Sequence, residues 1–244
     1  MGRNPREFSE SGIYHIMFRG TNKQSIFLSG RDYEKLLEIL QKLKEQYCFE
    51  IFAYCLMTNH VHLVIKEREL RDISKIMHGL LTKYSRWFNI KYERTGTLME
   101  SRYKSKIVDV DEYFLQLVRY VHQNPVKAEI CAISEYKWSS YNDYLTETKS
   151  CTDTKFLLDM MSRRQFVEFH GVDEDENFDL FKEGKYTDED LIEQLKRMGI
   201  DDPEKVKYLE PGKQAEVLSA LKRKFKANQI VRVVGISDYK LRKF

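Results

Sequence analysis

Two histidines one residue apart, His60 and His62, are the residues of this chain whose types and spacing point most directly to chemistry. They lie in Asn59-His60-Val61-His62-Leu63-Val64-Ile65, just after Ile51-Phe52-Ala53-Tyr54-Cys55-Leu56-Met57. Both runs are rich in β-branched and aromatic residues, as strands are. A strand turns successive side chains to opposite faces, so His60 and His62 share one face and Val61, Leu63 and Ile65 the other. Two neutral imidazoles one strand step apart can grip a single metal ion from one side. A lone strand histidine is more often structural; it is the pair that raises the metal reading.

A second constellation precedes Pro125. Phe114, Leu117, Val118 and Val121 recur at helical spacing, and beside them Gln116, Tyr120 and Asn124 form a polar row. A tyrosine there is either an interfacial residue that hydrogen-bonds a neighbour or a group with a task. A third feature is Arg102-Tyr103-Lys104-Ser105-Lys106, a basic cluster with an aromatic inside it. It reads as a solvated surface or as phosphate contacts, with Tyr103 stacking on a base or simply packing.

The elements that must position these residues follow from periodicity. Residues 13–19 read as a strand, 31–47 as a helix, 49–57 and 60–66 as strands joined by a tight turn, and 69–90 as a longer helix. A short strand is expected from Ile107, then a helix from Val110 to Asn124, capped by Asp109 with Glu112 and stopped by Pro125. The order β-α-β-β-α-β-α suits an α+β fold of ferredoxin or RNA-recognition-motif type, an antiparallel sheet with helices on one face. Beyond it, short helices are expected over 154–169 and 188–198 with an acidic loop at 173–176 between them. Helices follow over 214–225, 227–234 and 237–244. In the last pair, Gly235 and Ser237 give the form of a helix-turn-helix with Lys240, Arg242 and Lys243 on or near its exposed side.

Charge divides the chain in the same way. Residues 1–145 carry 22 Lys+Arg against 18 Asp+Glu, residues 146–212 carry 10 against 18, and residues 213–244 carry 9 against 2. Three modules are expected: 1–145, 146–212 as an acidic helical connector, and 213–244 as a basic, helix-turn-helix-like region suited to a polyanion such as DNA. The four cysteines show no zinc-ligand spacing and read as reduced thiols of a cytosolic protein. No signal peptide or membrane span is expected, and the chain would be cytoplasmic, on the nucleoid when bound to DNA.

Taken together, Asn59-His60-Val61-His62-Leu63-Val64, Ser101-Arg102-Tyr103-Lys104-Ser105 and Arg119-Tyr120-Val121-His122-Gln123-Asn124-Pro125-Val126-Lys127-Ala128 resemble the signature of the HUH single-tyrosine transposases, most closely the REP-associated branch. The resemblance covers roughly residues 11–145. It implies a metal-dependent endonuclease and strand transferase acting on single-stranded, hairpin-bearing DNA. Tyr120 would be the nucleophile, joined to the 5′ phosphate, and His60, His62 and Asn124 would hold Mg²⁺ or Mn²⁺. Asn in the third ligand position fits the REP-associated branch; the insertion-sequence branch usually has Gln. Arg102, Lys104, Lys106 and Arg19 would contact phosphates, and Lys240 and Arg242 would serve the C-terminal DNA-binding region. Relatives work as monomers or homodimers, and both states stay open here. The competing reading is a DNA-binding protein without catalysis. A plain RNA-binding module is disfavoured, because its aromatic sheet signature is not evident.

Overall fold

The computed structural model describes residues 9–69, 71–100, 102–108, 111–146, 150–172, 178, 188–225 and 227–241. The chain forms two compact units, Met1–Phe178 and Asp179–Phe244. This division falls inside the region expected as a connector, not at 145 or 212. Part of that region packs on the first unit, and part builds the core of the second.

In the first unit, β1 (Ile13–Arg19), β2 (Glu50–Met57), β3 (His60–Lys66) and β4 (Lys104–Ile107) make one antiparallel sheet in the order β2-β3-β1-β4. This is the ferredoxin-like order. Two helices, α1 (Gly30–Tyr47) and α2 (Asp72–Lys91), cover one face. Their Leu36, Leu40, Ile76 and Leu80 are fully buried against Ile16, Leu56, Val61 and Leu63 of the strands. Truncating one such leucine to Ala would cost about 2–5 kcal/mol. The two helices are also tied at their ends: the buried Asp32 at the start of α1 accepts from Lys91 Nζ at 2.5 Å and from the Tyr92 hydroxyl at 2.8 Å.

The expectation that helices lie on one face holds for α1 and α2 only. The third helix, α3 (Asp111–Lys127), packs on the opposite face with Phe114, Leu117, Val118 and Val121 against Phe52, Ala53, Cys55 and Val64. Residues 136–144 run along the free edge of β2. The Leu56 N–H donates to Trp138 O (2.9 Å), the Tyr54 N–H to Ser140 Oγ (2.8 Å), and the Tyr144 hydroxyl to Phe52 O (2.6 Å). This covers backbone groups that an open edge would leave unpaired.

Three boundaries depart from the sequence reading. The basic cluster does not precede the fourth strand; Lys104–Ile107 is that strand. Pro125 does not stop α3, which runs two residues further. The helix expected over 154–169 is two, α4 (Lys155–Leu158) and α5 (Arg163–His170), because Ser162 caps the second by accepting from the Gln165 N–H. The Asp109 cap, the acidic loop at 173–176 and Arg242 lie outside the described residues.

The second unit packs α6 (Asp188–Arg197), α7 (Pro211–Lys224), α8 (Ala227–Val234) and α9 (Asp238–Leu241) around Leu191, Leu195, Val206, Leu218, Leu221 and Ile230. Gly235 turns the chain between α8 and α9 at φ +71°. The Lys240 N–H then reaches Ser237 Oγ at 3.2 Å. Arg232 on α8 holds Asp188 on α6 through two hydrogen bonds. Among the described residues, no helix is long and apolar enough to cross a membrane.

Candidate active site

Strand register assembles the polar face beneath α3. Arg19 lies opposite His60, and Met17 opposite His62. Across β1, Lys106 lies opposite His15, and Lys104 opposite Met17. Side chains directly opposite or two residues on share a face. His60 and His62 of β3, His15 of β1 and the two lysines of β4 therefore line one side of the sheet, the side that α3 crosses.

On that face the rings meet. His60 and His62 have ring centroids 5.1 Å apart, edge to face. The Tyr120 ring stands edge-on to His62 at 5.5 Å and to His15 at 6.4 Å. The phenol of α3 and the paired imidazoles of the sheet are thus neighbours. Phe178 packs on Tyr120 at 5.2 Å, and Lys127 Nζ lies 5.1 Å from the centre of the same ring. Tyr120 is only 8% exposed.

The donor atoms can be assigned from hydrogen bonds. Asn59 Nδ2 donates to Lys23 O at 3.1 Å, which turns its Oδ1 toward His60 Nδ1 at 2.7 Å. An amide oxygen only accepts, so His60 carries its proton on Nδ1 and keeps its lone pair on Nε2. His62 is fully buried, and its Nε2 has no hydrogen-bond partner, while its Nδ1 meets His15 Nε2 at 3.2 Å. Burial holds His62 well below the usual imidazole range, with His60 and His15 adding to the effect. Burial and the nearby Lys106 push His15 down to about 3. Both rings are therefore neutral at neutral pH, the state in which imidazole binds a metal.

Asn124 is set by the proline after it. Pro125 has no N–H for the carbonyl of Val121, four residues back. The Asn124 amide nitrogen donates instead to Val121 O at 3.3 Å and to Tyr120 O at 2.9 Å. Two carbonyl oxygens can be met only by the NH₂ end of the amide, so Oδ1 is the end left for another partner. Among the described residues, no group of three His, Cys, Asp or Glu could hold a metal.

The cations expected to meet phosphate separate. Lys104 and Lys106 share the face of the histidines, and Lys106 Nζ lies 5.4 Å from the Tyr113 ring. Arg19 also lies there but is held by the Glu100 carboxylate, through Nε and through Nη2 at 2.8 Å. Arg102 is not brought to this face. It lines a groove of about 710 Å³ along α2 with Ser74, His78 and Met99. Tyr103 beside it is buried in the α1–α2 core, the packing alternative of the two read from sequence. Lys240 belongs to the second unit.

His15 and Phe178 carry no motif in the sequence, and Asn59 and Lys127 stand in the quoted motifs without a role assigned to them. Strand alternation alone puts His15 on one face of β1, but only the register places it beside His62. His122, beside Tyr120 in sequence, lies in the core, where it bridges His170 Nε2 (2.9 Å) and Ser140 Oγ (2.8 Å).

This geometry can be set beside known proteins that the chain resembles. Residues 9–124 match the family model described as Transposase IS200 like. This part of the chain is similar to that family of tyrosine transposases, whose members cleave DNA and transfer strands. The chain is also similar to the REP-associated tyrosine transposases. A Haemophilus influenzae protein assigned by its name to that group is 24% identical over 155 residues, covering 58% of this chain and 86% of the relative. The solved structure of a REP-associated tyrosine transposase bound to a REP hairpin shares the fold, with a TM-score of 0.52 at 20% identity. It is matched over 63% of this chain and 94% of its own length.

Proposed function

We propose that the chain is a divalent-metal-dependent endonuclease and strand transferase of single-stranded DNA, with hairpin DNA as substrate and Tyr120 as nucleophile. The observation that carries this reading is the meeting of the Tyr120 ring with His62, whose buried Nε2 has no protein partner. The relative bound to a REP hairpin supports the choice of substrate.

The residues present suit a divalent cation. His60 and His62 offer imidazole nitrogens, and Asn124 offers an amide oxygen. An all-neutral set binds Mg²⁺ or Mn²⁺ weakly, so substrate phosphate oxygens and water would complete the shell. Such an ion would act as a Lewis acid on the scissile phosphate.

The chain's own residues do the rest. The Tyr120 oxygen attacks phosphorus, the bond to the 3′ oxygen breaks, and the products are a 5′-phosphotyrosine and a free 3′-OH. The phenol gives up its proton, and the departing 3′ oxygen gains one. A phenol ordinarily ionises near pH 10, and Lys127 Nζ lies 5.1 Å from the centre of the Tyr120 ring. The phosphotyrosine keeps the bond energy, so a second 3′-OH can displace Tyr120 without a nucleotide cofactor. Lys104 and Lys106 would hold the strand's phosphates, a role supported by their lying on the histidine face of the sheet.

The test is a denaturing gel of protein incubated with hairpin-bearing single-stranded oligonucleotides and Mn²⁺. A covalent protein–DNA species should form, and it should be absent with chelator and in Tyr120→Phe. No adduct with any hairpin tried, alongside retained DNA binding, would favour a binding protein without catalysis.

A further inference from the structure

We infer that His15 is a positioning residue for this site: as the acceptor of the His62 Nδ1–H, it turns the His62 Nε2 lone pair toward the cation. The inference rests on His60 and His62 being the ligand pair, and it adds a residue that the His-x-His motif does not contain.

Its basis is geometric. His15 Nε2 and His62 Nδ1 face each other at 3.2 Å, both rings are fully buried, and the rings lie within 12° of parallel. Two facing ring nitrogens share one proton, so only two arrangements exist. If His15 donates, the His62 proton moves to Nε2, and that atom keeps no lone pair for a cation. If His62 donates, its Nε2 carries the lone pair. The outer atoms of the pair, His15 Nδ1 and His62 Nε2, both lack a hydrogen-bond partner. The protein therefore satisfies the two arrangements equally well, and a cation at Nε2 selects the second.

His60 shows the same arrangement already fixed, with Asn59 Oδ1 as an acceptor that cannot donate. Each imidazole then has its own support: a turn residue for His60, and a neighbouring strand for His62. Metal-bound histidines are generally oriented through their other ring nitrogen, and removing that partner costs roughly 10- to 100-fold in metal affinity.

The experiment titrates full-length protein with Mn²⁺ by calorimetry, without DNA. Binding in the parent should disappear in His62→Ala, which establishes the ligand pair independently. His15→Leu, which removes the acceptor, should weaken Mn²⁺ binding by about 10- to 100-fold. His15→Gln, which keeps an acceptor oxygen, should restore affinity to within a few-fold. Parent-like binding in His15→Leu, with none in His62→Ala, overturns the role of His15 and leaves the ligand pair standing. Binding that survives in both His60→Ala and His62→Ala overturns the ligand pair and this inference with it. Should His15→Leu not fold, long-range ¹H–¹⁵N correlation spectra of the parent with saturating Mg²⁺ decide. They should show His62 protonated on Nδ1, and protonation on Nε2 overturns the inference.

Discussion

At the scale of single residues, the buried histidines set how the protein responds to acid. His170 Nδ1 donates to Phe166 O at 2.8 Å, so its Nε2 accepts from His122 Nδ1, whose own Nε2 accepts from the Ser140 hydroxyl. Burial first, then the Arg119 charge, push His170 down to about 4, against a partial opposing effect of the Phe166 carbonyl. Burial, with His170 adding to it, holds His122 well below the usual range. A depressed histidine value means that the folded state favours the neutral ring. The stability it contributes is complete above the unfolded value of about 6.5 and is lost as pH falls through the folded one. For His170 alone the loss is on the order of 3 kcal/mol between pH 6.5 and 4. Thermal midpoints should fall across that interval. A midpoint flat from pH 6.5 to 4 would contradict the neutral relay.

At the scale of elements, two connections carry testable consequences. Asp32 joins α1 to α2. Burial raises its carboxyl, but the Lys91 ammonium, the Leu28 N–H and the Tyr92 hydroxyl outweigh this and hold it below the usual carboxylate range. Asp32→Asn should cost about 1–3 kcal/mol in denaturant unfolding near neutral pH. The difference from the parent should shrink as pH falls below the ordinary carboxylate value. Pro125 acts on α3 in the opposite sense. Pro125→Ala returns an N–H to the Val121 carbonyl and removes a helix-breaking residue, so the thermal midpoint should stay level or rise. The Asn124 amide then loses its task at Val121 O, and adduct yield should fall. A raised midpoint with parent-like adduct yield would separate Asn124 from the chemistry.

How much was legible in the sequence also divides by element. Strand and helix identities in the first unit followed from periodicity, because long apolar stripes such as Ile73, Ile76, Met77, Leu80 and Tyr84 leave little choice. The end of α3 did not follow, since Pro125 is tolerated where the Asn124 side chain replaces the missing donor. The face taken by α3 and the proximity of His15 to His62 were hidden for a different reason. Both depend on strand order and register, which pair residues 47 positions apart. Tyr120 and the histidine pair could be named from their residue types and from a family resemblance. Their meeting is a property of the tertiary fold.

At the scale of the molecule, the two units invite separate assays. The second unit carries the basic C-terminal stretch and the α8–Gly235–α9 turn. If that unit neutralises DNA phosphates, a chain ending at Phe178 should bind hairpin DNA more weakly. The slope of log affinity against log salt should shrink by about 0.7–0.9 for each phosphate that the shortened chain leaves unneutralised. An unchanged slope would remove the second unit from DNA binding. Adduct formation should persist in the shortened chain, because His60, His62, Tyr120 and Asn124 all lie in the first unit.

The most direct measurement of the central claim is the location of the covalent bond. After reaction with a hairpin oligonucleotide and Mn²⁺, nuclease digestion and tandem mass spectrometry should find the nucleotide remnant on Tyr120, joined through its 5′ phosphate. A remnant on another residue, or a 3′-phosphate linkage, would contradict the account.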